Sequence, residues 1–272
     1  YDRAKNLLQR SVALRPNEGS EKFLYLAQMA AGEESLAHYR TATAILDTAV
    51  KKIASIEVSG SSFAAVLPEA TRTIVERKLR GQLASAFAAI AELYMTDLCD
   101  LDDAEECCEK ACADGLAASP TCIEVLAAKA TLRRVQGNLE EASAIAADCA
   151  TRIQHSKREE SLEEAANDEA ADVSDDTCLS LSRTLIDLNQ PAAAKGLLAC
   201  LLDQNDEEVE VWLLLGHCHL LETDAEGVQE CAETGLELCA KRGDDGKEWI
   251  PDFNRLLEQV KFLDSCPAPE AA

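Results

Sequence analysis

Two stretches of this chain repeat one pattern at a fixed distance. Trp212-x2-Leu215-Gly216-x2-His219 matches Cys178-x2-Leu181-Ser182-x2-Leu185, and 212 less 178 is 34. The segments that follow keep the offset. Ala194-x3-Leu198-x2-Leu201 corresponds to Val228-x3-Ala232-x2-Gly235, and 228 less 194 is again 34. Units this short, each with helical apolar spacing, cannot bury their apolar stripe alone and must stack on neighbours of the same kind. Ala, Leu, Glu and Lys dominate the periodic stretches and favour helix. The 7 Pro and 12 Gly mostly punctuate helix ends. The pattern predicts a stack of antiparallel helix pairs.

Looser copies extend the array in both directions. Ala4-x3-Leu8-x2-Ser11-x4-Pro16 reads as the second helix of a pair, and Tyr1 falls inside that helical pattern, so the first repeat is expected to be truncated. Phe23-x2-Leu26-Ala27-x2-Ala30 leads to Ala42-x3-Leu46-x2-Ala49, and Phe87-x2-Ile90-Ala91-x2-Tyr94 leads to Ala104-x3-Cys108-x2-Ala111. Leu126, Ala130 and Gly137 lead to Ala142-x3-Ala146-x2-Cys149. Ala42 to Ala104 spans 62 residues, 28 beyond one period, and Ala142 to Ala194 spans 52, 18 beyond it. These excesses predict mobile loops near 55–68, around Ser59-Gly60-Ser61-Ser62, and at 154–176. Residues 154–176 hold nine acids against two bases. Residues 249–263 predict a cap helix with Phe253, Leu256, Leu257, Val260 and Leu263 apolar, and 267–272 a frayed tail.

The signature W-x2-L-G-x2-Y, then A-x3-F-x2-A, then Pro is that of the tetratricopeptide repeat (TPR), which this chain resembles over nearly its whole length. The resemblance implies an all-α TPR solenoid over 1–266, a right-handed superhelix of about six repeats ended by the cap helix. It also implies a concave groove lined by the first helix of each pair. TPR proteins are binding scaffolds, so the fold alone names no ligand.

Charge narrows the class of partner. The 272 residues carry 26 Lys and Arg against 50 Asp and Glu, a net charge of −24. Nucleic acid and anionic membranes are repelled, and a basic protein segment is the electrostatic complement. Positions projected into the groove include Glu21, Gln28, Glu92, Thr96, Glu124, Thr131, Asp176, Arg183, Asp187, Glu210, His217 and Glu222. Acids outnumber the single Arg, which disfavours the carboxylate clamp of heat-shock adaptors. Glu21, Glu92, Asp97, Glu124, Asp176, Asp187, Glu210 and Glu222 are the candidate partner-binding residues. The same acids also suit an ordinary solvated face in a chain this acidic.

Ala4 to Pro16 with Glu21-Lys22-Phe23-Leu24-Tyr25-Leu26-Ala27-Gln28, Ala91-Glu92-Leu93-Tyr94-Met95-Thr96-Asp97-Leu98-Cys99, and Val211-Trp212-Leu213-Leu214-Leu215-Gly216 carry a narrower resemblance. They resemble the fungal family of TPR chaperones dedicated to large-subunit ribosomal protein four (L-four). That resemblance implies a client whose long basic loop is shielded, escort to pre-60S ribosome assembly, and a place in cytoplasm and nucleus. A general TPR scaffold and a histone-type acidic chaperone are the alternatives.

Other chemistry is sparse. GxSxG, Gly-rich phosphate loops and HExxH do not occur, so no catalytic residue, cofactor or metal is assigned. Cys99, Cys107, Cys108 and Cys112 form the densest of the 12 cysteines, but no CxxC is present and core packing is expected. The cysteines lie in helical patterns and suit a reducing compartment. In His217-Cys218-His219 neighbouring side chains diverge around a helix, so packing is favoured over metal binding. Trp212 is expected in the core. Trp249 either staples the cap helix or touches a partner. A monomer is expected from the charge.

Overall fold

The computed structural model describes residues 2–59, 68–158 and 173–265. Every regular element among them is helical. In chain order these are α1 (Asp2–Leu14), α2 (Glu21–Gln28), α3 (Gly32–Ser59), α4 (Glu69–Met95), α5 (Ala104–Ala118), α6 (Ile123–Val135), α7 (Leu139–Arg158), α8 (Asp175–Asp187), α9 (Pro191–Leu202), α10 (Val209–Leu221), α11 (Ala225–Arg242) and α12 (Ile250–Ser265). A 3₁₀ turn, Gly243–Gly246, precedes α12. The chain divides into two compact units, Tyr1–Leu132 and Arg133–Ala272.

In the first unit, α2 and α3, then α4 and α5, pack as consecutive pairs. Their core holds Leu36, Leu46, Leu83, Ala84, Ala88, Ala91, Tyr94, Cys108, Ala111 and Cys112. The small residues at the repeat slots let helix backbones approach. Gly115 shows how closely, since a Cβ there would stand 2.8 Å from Val125 Cγ2. The 28-residue excess lies largely in helix. Here α3 and α4 run for 28 and 27 residues, against 13 for α8 or α10. The flexible segment expected at 55–68 thus has helix at its near edge, to Ser59, and residues 60–67 lie outside the described residues. Helix α1 packs on α2 but buries none of its own residues. Its C-terminal end is held by Lys22, whose Nζ donates to the Arg15 carbonyl and lies 5.3 Å from the Phe23 ring centre.

In the second unit, α8 to α11 follow the two copies in perfect register. Leu181, Leu185, Ala194, Leu198, Val228 and Ala232 are all buried at 1% exposure or less, as the signature slots require. Helix α7 extends to Arg158 and α8 starts at Asp175, so both edges of the expected 154–176 loop are helical, and 159–172 lie outside the described residues. Helix α12 packs on α10 and α11, and its Phe253, Leu256 and Val260 are buried. The tail 267–272 and the side chain of Leu263 lie outside the described residues. Trp249 is half-buried against the same cluster and staples the start of α12. Trp212 is a correction to the sequence expectation. It is half-buried, because its indole N–H must find an acceptor and donates to the Asp206 carbonyl at 2.8 Å at the rim.

Three first helices end in the same turn. Asn138 N–H bonds Arg133 O at 2.8 Å, Gln190 N–H bonds Leu185 O at 2.8 Å, and Asp224 N–H bonds His219 O at 2.9 Å. This six-to-one closure needs a left-handed residue before the donor. Gly137, Asn189 and Thr223 supply it, with φ of 79°, 56° and 58°. Thr is poorly suited there, because its branched Cβ crowds the next carbonyl. Thr223→Gly is expected to raise stability by about 0.5–1 kcal/mol, the left-handed penalty less the backbone entropy of Gly. Thermal melting checks it, and a lower melting temperature would show that the Thr223 hydroxyl, which donates to the Glu222 carbonyl at 2.6 Å, outweighs the strain.

Candidate partner-binding surface

Four of the eight candidate acids lie in the first unit. Glu21 opens α2 and is exposed, where its charge suits the helix N-terminus. Glu92 is exposed on α4 and, after burial, is the second cause raising the Tyr39 hydroxyl above its ordinary pKa. Asp97 follows α4, and its Oδ2 accepts the Gly32 N–H at 2.9 Å, closing a donor at the start of α3. Glu124 is half-buried on α6 and accepts from the Ser85 hydroxyl of α4, with Cys122 Sγ at 3.3 Å. Two of the four acids therefore hold the pairs together. Nearby, Arg40 Nη2 donates to Tyr94 Oη at 2.8 Å, joining α3 to α4.

The second unit carries the other four. Asp176 is exposed in the first turn of α8, beside Ser174, whose Oγ accepts the Thr177 N–H at 3.2 Å as N-cap. Asp187 meets Arg134 at 3.2 Å. Glu210 accepts from Arg183, with Nε at 2.9 Å. Glu222 accepts from Lys195. Three of these acids thus hold a cation of their own chain. The cations Arg134 and Lys195 were absent from the sequence projection, although a signal was present. Arg183 to Glu210 and Lys195 to Glu222 are both offset by 27 residues, one period less two helical turns. Exposed pairs of this kind contribute about 0.2–1 kcal/mol each, so a competing cation can displace them.

His217 and His219 do not share a face. His217 is half-buried, and burial lowers its pKa, with Asp252 and Arg255 of α12 the charges that act on it. His219 Nδ1 pairs with Asp224 Oδ2 at 2.8 Å, while Asp224 Oδ1 accepts the Gly227 N–H at 3.1 Å and caps α11. The backbone bond first and His219 second hold the Asp224 carboxyl below its ordinary pKa. The cap is therefore present above the ordinary carboxylate range and lost as pH falls through the lowered value.

Cysteine behaviour follows burial. Desolvation, the first cause in each case, pushes Cys122, Cys149 and Cys218 up to about 12 and Cys231 up to about 11. Such thiols are neutral and unreactive at neutral pH. Cys99 is exposed and Cys107 half-buried, whereas Cys108 and Cys112 are buried. A thiol reagent at neutral pH is expected to label the exposed Cys99 at least about tenfold faster than Cys122, Cys149 or Cys218, which burial keeps protonated and out of reach. Peptide mapping of the adducts checks the order, and equal rates would contradict the packing. Among the described residues, no three His, Cys, Asp or Glu side chains are placed to hold a metal ion. None of the described helices is long and apolar enough to cross a membrane.

Comparison with known proteins adds two likenesses. No family profile matches the chain. A Schizosaccharomyces pombe protein named "Probable assembly chaperone of rpl4" is 29% identical over 229 residues, covering 83% of this chain. This chain spans 59% of the length of that relative. A solved structure titled "Assembly Chaperone of RpL4 (Acl4) (Residues 1-338)" superposes with a TM-score of 0.64 at 23% identity, covering 80% of this chain and 76% of that one. The structural likeness concerns the fold, an all-α helical-repeat array. The chain resembles the fungal L-four chaperone in sequence and in fold.

Proposed function

We propose that this chain is a non-catalytic chaperone that binds ribosomal protein L-four through a basic segment and keeps that segment shielded until ribosome assembly. The observation that carries the reading is the likeness, over 83% of the chain, to the S. pombe protein named for assembly of rpl4. Charge supports it independently. A net −24 attracts a basic client over long range, and Glu21, Glu92 and Asp176 present exposed carboxylates on first helices. Client cations also compete with Arg134, Arg183 and Lys195 for Asp187, Glu210 and Glu222. Asp97 and Glu124 support the fold and contribute less to contact.

Many weak pairs sum to an attachment that salt weakens, because screening sets in within about 8 Å at physiological ionic strength. Release follows when rRNA, a denser polyanion, competes for the same basic segment. Escort to the pre-60S particle in the nucleus belongs to the same proposal. Co-expression tests it: L-four is expected to co-purify with this chain and to stay soluble longer than alone. Recovery of L-four at background level, with its solubility unchanged, would refute the reading. A general scaffold or histone-type chaperone would instead retain other partners under the same conditions.

A further inference from the structure

We propose that the first half of α4, with the end of α3 beside it, is a second docking surface whose occupant is an acidic protein segment bearing aliphatic side chains. This goes beyond the client reading, since a basic client is repelled from it. The stretch 68–82 carries four bases and two acids in a chain with 26 bases and 50 acids. Lys51 and Lys52 lie exposed about two turns before the end of α3, which packs along α4. On α4, Ile74, Arg77 and Lys78 stand at i, i+3 and i+4 and share one solvent-facing side. Ile74 is 54% exposed and Val75 38%. No residue of α4 before Leu83 is buried, and in these turns Leu79, half-buried, packs against the core of the first unit.

Some of the cations are already engaged. Arg80 Nη2 lies 2.8 Å from Glu76, and Lys51 Nζ 2.6 Å from Asp47. Lys52 and Lys78 have no acid within ion-pair distance among the described residues, and the enclosed Arg72 Nε has no acceptor among them. An aliphatic centre flanked by cations complements a segment with apolar anchors and carboxylates around them. Nucleic acid fits less well. The stretch 68–82 has no aromatic residue to stack a base, and the chain as a whole repels a polyanion.

The probe is a labelled synthetic helical peptide with Leu at i and i+4 and Glu on its remaining faces. Anisotropy is measured with the wild-type chain and with the double variant Ile74→Ser and Lys78→Glu, whose helicity is checked by circular dichroism. The wild type is expected to bind, and the double variant to bind at least about tenfold more weakly, a loss of one decade in Kd. Replacing the peptide Leu by Ser should weaken binding to the wild type as well. Absence of binding to the wild type, equal binding to the variant, or tighter binding of oligouridylate than of the peptide would each overturn the proposal. The double variant should bind the basic segment of L-four as the wild type does, so failure of this surface and failure of the chaperone reading are separable.

Discussion

Phe253→Ala should remove about 3–5 kcal/mol of stability, the usual cost of emptying a fully buried aromatic site. Phe253 is 0% exposed, and its ring lies where any Cβ on Gly235 would be. Leu256, also 0% exposed, occupies the same relation to Gly216, where an added Cβ would stand 2.7 Å from Leu256 Cδ1. The cap helix is thus keyed into two glycines, one on α10 and one on α11. Without the ring, α12 keeps Leu256 and Val260 but leaves a cavity over Gly235 that those backbones cannot close. Both tryptophans, Trp212 and Trp249, belong to this unit, so their emission reports its unfolding directly. Urea denaturation followed by fluorescence checks the prediction. A loss below about 1 kcal/mol, the scale of an ordinary surface change, would mean that α12 is not anchored through Phe253.

The second large effect concerns the acids. Glu21→Gln, Glu92→Gln and Asp176→Asn together should weaken binding of a basic L-four segment by about 3- to 100-fold. Each exposed pair contributes about 0.2–1 kcal/mol, and 1.4 kcal/mol is a factor of ten. These three are exposed, so the fold should survive. Asp97 and Glu124 would make a poor test, because their loss opens the Gly32 and Ser85 hydrogen bonds inside the first unit. Calorimetric titration of the triple variant decides it. Unchanged affinity would place the client elsewhere.

Much of the architecture was legible because packing slots recur. Ala194 and Val228, or Leu181 and Leu215, occupy equivalent places, and each is buried where the 34-residue register puts it. Closure of the turns was only partly legible. Gly137 announces a left-handed residue, but Asn189 and Thr223 hold the same conformation without glycine. Trp212 was misjudged because its slot predicts an apolar neighbour and takes no account of its N–H. Ser59-Gly60-Ser61-Ser62 marks a loop near 55–68, of which residues 60–67 lie outside the described residues. The length of the helices on either side was not legible, since the flanking helix formers carry α3 to Ser59 and start α4 at Glu69. The acids were hardest, since a sequence gives their number but not their partners. Asp187, Glu210 and Glu222 each found a cation one helix away.

If acidic side chains recognise L-four by its basic segment, as proposed, binding must follow salt and client sequence together. The direct measurement is binding of the purified chain to the basic loop of L-four at low and high salt, with a histone tail of similar charge as control. Tight binding is expected at low salt, with progressive loss as salt rises and a preference for the L-four loop over the histone tail at every salt concentration. Equal binding of both peptides, or no binding of the L-four loop, would contradict it.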